Sequence, residues 1–168
     1  MKRSALAIGF CMLAVSGAFA QTKDPFEGVW RRAEEVWPDT NAAQKGATII
    51  NPQSSLITFT RGYYSEMFVL RGQPRAPIAR PKDPQNLTDA EKIALYEQWR
   101  PFAANSGTYE IRGSTLIRHA VVAKNVNIMT GGAPHIQEFT LEGPNTIWLI
   151  PTAQESATEP RIKLTRLK

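Results

Sequence analysis

The chain holds one cysteine, Cys11, and two histidines, His119 and His135. Cys11 falls in a segment expected to be removed. The mature chain then has no disulfide and no thiol chemistry, and its stability rests on its core alone. The histidines show neither H-x-H nor HExxH spacing, so a zinc site joining them to Glu66 or Glu138 has no local support. No metal and no cofactor is expected. Long apolar runs are also missing, so no membrane span is expected once the leader is gone. The leader has no Arg-Arg pair for twin-arginine export. Phe10, just before Cys11, is bulky where a lipoprotein signal needs a small residue. Charge of one sign is scarce too. Of 20 Lys and Arg residues, Lys2 and Arg3 leave with the leader, so 18 basic residues face 15 acidic ones. The densest basic piece is Arg161 to Lys168, and it carries no interleaved aromatics. Nucleic-acid binding is therefore not expected.

What is present begins with "MKRSALAIGFCMLAVSGAFA", residues 1–20. Two basic residues, a short apolar run and the small-x-small end Ala18-Phe19-Ala20 read as a secretory signal peptide cleaved after Ala20. The expected location is periplasmic or secreted. Residues 21–168 then make one domain of ordinary length.

From Gly28 onward the chain reads mostly as short strands. "SLITFTRGYYSEMFVLRG" (55–72) is two β-rich runs joined at Arg61-Gly62, a hairpin signal. "SGTYEIRGSTLIRHAVVAKN" (106–125) repeats the form around Gly113. "HIQEFTLEGPNTIWLIPT" (135–152) repeats it around Gly143-Pro144. With residues 27–36, "ATIINP" (47–52) and "RIKLTRLK" (161–168), this makes eight or nine strands at the spacing of an all-β sandwich or barrel. One stretch differs. Thr88 and Glu91 form a capping box that predicts a helix over about 88–100, stopped by Pro101. Its Leu95, Trp99 and Phe102 make an apolar stripe. The Pro-rich loop 71–85 delivers that helix to one end of the sheet.

Side chains along a strand alternate between faces. On the last strand Ile162, Leu164 and Arg166 share one face. A bare charge in phase with apolar residues is costly, and a guanidinium there wants an aromatic plane. Trp30 on the first strand supplies one if the sheet closes so that first and last strands meet.

Gly28-x-Trp30 with Arg166 on the last strand resembles the signature of lipocalins, in which that Arg packs over the Trp at the closed end of an up-and-down barrel. "ITFTRGYYSEM" (57–67), "SGTYEIRGSTLIRHAVVA" (106–123) and "IQEFTLEG" (136–143) resemble, in order and spacing, the bacterial lipocalin-like domain family. This chain departs from that family in having Arg61 where an acidic residue is typical, and Gln137-Glu138 where Arg is frequent. It also lacks the long C-terminal helix of classical lipocalins. The resemblance implies a closed antiparallel β-barrel of eight to nine strands, with the helix capping or flanking one mouth. Gly28, Trp30 and Arg166 would close it. Such a barrel is wide enough for one small ligand.

Ligand-binding candidates are Tyr64, Glu66, His119, Tyr109 and Trp148. Tyr64, Glu66, Phe68 and Leu70 share a strand face. If that face is interior, Glu66 needs a partner or a raised pKa; alternatively the tyrosines pack as cross-strand pairs. The family resemblance implies that His119 points inward. It would be a hydrogen-bonded core histidine, a ligand donor, or a general acid or base. Arg32 and Glu34 follow Trp30 on its own face and can pair inside the barrel, unless a bulge turns them outward. The first functional expectation is an exported barrel holding a small hydrophobic or aromatic molecule. The second is a lyase, isomerase or hydrolase using His119 with Tyr64 or Glu66. In residue types alone, the paired tyrosines of "YYSE" with Arg and Glu inside such a barrel are similar to phenolic acid decarboxylases. The third is a ligand-free envelope protein that binds a partner through the barrel exterior.

Overall fold

Arg61 and Gly62 both have positive φ, 47° and 80°, the backbone of the tight hairpin turn that this dipeptide predicts. The same logic, turn by turn, builds the chain into one sheet. In the computed structural model, residues 24–52, 54–70, 76–129 and 131–168 are described. The signal peptide expected at 1–20 lies outside them, with Cys11, as do loop residues 71–75.

The strands are β1 (Gly28–Val36), β2 (Thr48–Ile50), β3 (Ser55–Thr60), β4 (Tyr63–Val69), β5 (Phe102–Arg112), β6 (Thr115–Ala123), β7 (His135–Leu141), β8 (Thr146–Pro151) and β9 (Arg161–Arg166). All pairings are antiparallel, and β3 to β9 follow one another as neighbours. β1 pairs with both β3 and β9, so eight strands close into a ring. The short β2 is an extra strand against the far end of β1.

Trp30 and Arg166 are direct register partners across the closing seam. The guanidinium carbon lies 4.1 Å from the indole centroid. Arg166 also donates to the carbonyls of Pro25 (2.9 Å) and Glu27, and Trp30 Nε1 donates to the Phe26 carbonyl at 2.6 Å. These bonds tie the segment before β1 across the barrel end. Phe26, fully buried, sits 5.0 Å from Phe59 and 4.9 Å from Phe139 between ring centroids. Tyr109 stands edge-on to Phe59 at 5.0 Å, and its hydroxyl donates to Asp24. Aromatic rings, packed with aliphatic side chains such as Leu116 and Ile147, thus plug the core at this end.

Gly28 has φ 130°, and a Cβ on it would run into Arg166 Nη1. The seam therefore needs a residue without a side chain. We expect Gly28→Ala to cost about 1–3 kcal/mol through backbone strain and displacement of the guanidinium. Urea unfolding would measure the loss, and near-ultraviolet circular dichroism would report the disturbed indole.

The helix α1 (Asp89–Trp99) begins at Thr88 with both hydrogen bonds of the capping box in place. It contributes no buried residue. The expected stripe is not a core contact: Trp99 is exposed, meeting the edge of Phe102 at 5.3 Å and the ammonium of Lys124 at 5.7 Å. Tertiary packing goes to the strands instead, and α1 stands beside one barrel mouth. No helix among the described residues is long and apolar enough to cross a membrane.

Candidate functional site

The interior changes character along the barrel axis. At the closed end it is aromatic. Midway, the inward positions of β1, β4, β6 and β7 become Arg32, Glu66, Arg118 and Gln137, all buried. Beyond that polar layer lies a cavity of about 480 Å³. Its walls include Trp37, Phe68, Leu70, Phe102, Ala103 and Ile162, and it opens past the exposed Arg100, Lys124 and Glu159.

Two irregularities in the ladder decide which side chains reach the polar layer. The first lies in β1, between Arg32 and Glu34 in their pairing with β9. Without it, Glu34 would follow Arg32 inward. The extra residue, Ala33, moves the inward phase to Glu35. Arg32 accordingly pairs with Glu35 at 3.1 Å, and the expected Arg32–Glu34 partnership is corrected by one residue. The second lies in the β5–β6 pairing, where Ser106 faces Val122 but Gly107 faces Ala120. Gly107 allows this, because a Cβ there would strike the His119 carbonyl.

The phase of β6 corrects a second expectation. Leu116 and Arg118 face the interior, while His119 is exposed, 3.9 Å from Glu110 on the outer surface. His119 therefore does not point inward and does not converge with Tyr64 and Glu66, so the catalytic set imagined around it is not assembled. Trp148 likewise lies on the outer face. Its indole donates to Glu142 at 3.1 Å, with Arg161 and Lys163 each 5.2 Å from the ring. Tyr109 is interior but belongs to the aromatic plug, away from the cavity lining. Of the five candidates, Tyr64 and Glu66 reach the polar layer.

Glu66 is its centre. One carboxylate oxygen accepts from Arg32 at 2.7 Å, and the other accepts from Arg118 at 2.7 Å. Arg118 also donates to Gln137 Oε1 at 2.8 Å and to His135 Nδ1 at 2.6 Å. The guanidinium of Arg32 lies 3.5 Å from the Phe68 ring centroid, and that of Arg118 lies 5.5 Å from the Tyr64 ring. Burial alone would push the Glu66 carboxyl up, but Arg118 and Arg32 overcome it and hold it at about 2. Burial also pushes the Tyr64 phenol up, against the pull of Arg118, so it remains a neutral hydroxyl at neutral pH.

His135 was weighed in the sequence only as a metal ligand. It lies at the inward start of β7 and lines the cavity. Burial and the neighbouring Arg118 lower its pKa to about 3. A guanidinium can only donate, so Nδ1 is the acceptor and the ring proton sits on Nε2. Among the described residues, no three His, Cys, Asp or Glu side chains group as a metal site. His119 and His135 sit on opposite faces of the barrel wall.

No protein-family model matches this chain, and no curated protein matches it. Among the solved structures similar to it is a lipocalin-like protein from Bacteroides uniformis ATCC 8492, at 11% sequence identity and a TM-score of 0.49. The alignment covers 86% of this chain and 100% of that one. The closed barrel is established by its own strand pairing, independently of that likeness.

Arg118 and Gln137 were the residues missed. The alternation in "TLIRHAVV" offered two phases, and only the charge inside the barrel separates them. A buried Glu66 requires a cation, and Arg118 is the one that β6 can supply.

Proposed function

We propose that this is an exported, lipocalin-like binding protein that holds a small, partly apolar molecule in the open half of its barrel. The observation that supports it is the cavity of about 480 Å³, with apolar walls and a floor of buried, cross-linked polar groups. That combination is what a small-molecule site offers: surface to bury, and a few fixed polar groups to orient the guest. Export rests on the leader at residues 1–20, which fits a chain whose cysteine would be removed with it.

The cavity makes a sharp expectation. Ala103 pairs with Phe68 and lines the wall. Ala103→Trp should fill the space and remove binding while leaving the barrel folded. Trp37 lines the same cavity, so quenching of tryptophan fluorescence by aromatic and fatty compounds reports occupancy. A saturable change in the native protein that vanishes in the variant supports the proposal. No change across a broad panel of such compounds would refute it.

A further inference from the structure

The polar layer has an unbalanced hydrogen-bonding character. Arg32 Nε, Arg118 Nε and Trp37 Nε1 are buried with no acceptor among the described residues. All three side chains line the cavity, although these nitrogens themselves are sealed from it, so the donors that a guest meets are those of the neighbouring groups. Buried polar atoms are rarely left unpaired, and each such donor costs free energy until it meets an acceptor. The neighbouring groups add donors. Gln137 gives its oxygen to Arg118 and keeps its NH₂. His135 gives Nδ1 to Arg118 and keeps N–H at Nε2. The two oxygens of Glu66 are both engaged by arginines.

Charge is a separate matter, and here the layer is balanced. Arg32 and Arg118 are matched by Glu66 and Glu35. At the rim Arg100 is paired with Glu97 at 2.8 Å, the ammonium of Lys124 is held by the carbonyls of Trp99 and Phe102, and Glu159 lines the same opening. An anion entering this site would be a new buried charge beside Glu66, and a cation would compete with two fixed guanidiniums.

We propose that the cavity selects an uncharged molecule with an apolar body and a hydrogen-bond-accepting oxygen, of the ester or ketone class, over the carboxylate or amine of the same skeleton. This rests on the cavity being a ligand site, and the experiment separates the two ideas. Calorimetric titrations at neutral pH would compare methyl naphthoate, naphthoate, naphthylmethylammonium and ethylnaphthalene. A straight-chain set would follow: methyl nonanoate, decanoate, decylammonium and decane. The ester of at least one skeleton should bind about tenfold or more tightly than its charged and hydrocarbon counterparts. Its binding should be lost in Ala103→Trp.

If the carboxylate or the amine binds as tightly as the ester, selection against charge is overturned while the ligand site stands. If the hydrocarbon binds as tightly, the accepting oxygen is overturned, again with the site intact. Ester binding that survives Ala103→Trp places the guest elsewhere and overturns the proposal. If no compound of either skeleton binds, this proposal and the ligand-binding reading fall together.

Discussion

Replacing Glu66 with Ala should lower the unfolding free energy by about 3–5 kcal/mol, because it leaves two buried guanidiniums facing each other without their shared anion. Arg32 would keep Glu35, and Arg118 would keep only the neutral Gln137 and His135. The loss would be that of an uncompensated buried charge and not of packing volume. Glu66→Gln, which keeps the shape and one set of acceptor lone pairs, should cost less, about 2–3 kcal/mol. The decisive comparison is the double variant Glu66→Leu with Arg118→Met. It removes one charge of each sign and leaves the Arg32–Glu35 pair intact. Apolar replacement of a buried pair is often neutral, so it should recover most of what Glu66→Ala loses. Urea midpoints at an unchanged denaturant slope would measure all three. A double variant no more stable than Glu66→Ala would show that the carboxylate acts through something other than charge.

Mild acid should destabilise the protein through His135. Burial and Arg118 hold the folded imidazole at about 3, against an ordinary 6.5. Between those values the unfolded chain binds a proton and the folded chain does not. The contribution is therefore fully present above pH 6.5 and disappears as pH falls toward 3. The ring is partly exposed, so solvent weakens the effect, and the loss by pH 4 should be about 2–3 kcal/mol. His135→Gln retains an acceptor for Arg118 and has no titrating ring. It should flatten the stability profile from pH 6.5 down to about 4.5. Below 4.5 a second loss sets in, because Glu66 is held at about 2 by Arg118 and Arg32 against burial. That arm should remain in His135→Gln and be reduced in Glu66→Gln, where Asp83, Glu91 and Glu142, each held below its ordinary value by hydrogen bonds, still contribute. Chemical denaturation at a series of pH values separates the two. An unchanged profile in His135→Gln would mean that the imidazole is not desolvated by its place in the cavity wall.

Together the two expectations describe a polar layer that is a poor device for stability. Each charge in it costs desolvation, and apolar residues of similar volume would serve the core as well. What the layer does supply is a rigid set of donors at the bottom of a cavity, which is why its chemistry bears on the proposed ligand reading.

Sequence alone determined the hairpin turns and the helix cap, and its resemblance to lipocalins implied the closure of the barrel. These are local or periodic signals: Arg61-Gly62 needs only its own dihedral angles, Thr88 and Glu91 lie three residues apart, and the phase of Arg166 with Ile162 and Leu164 is fixed by alternation. The aromatic partner for that guanidinium could be named because Gly28-x-Trp30 is compact and distinctive. The occupants of the polar layer were another matter. Alternation gives two faces and does not say which is inside, and a single bulge reverses the answer for every residue beyond it. Ala33 exchanged Glu34 for Glu35, and the phase of β6 put Arg118 inside and His119 in water. Those choices are energetic and long-range. They are settled by which cation can reach Glu66 across the barrel, a contact between residues 52 positions apart. Only the closed tertiary structure brings the two strands close enough to decide it.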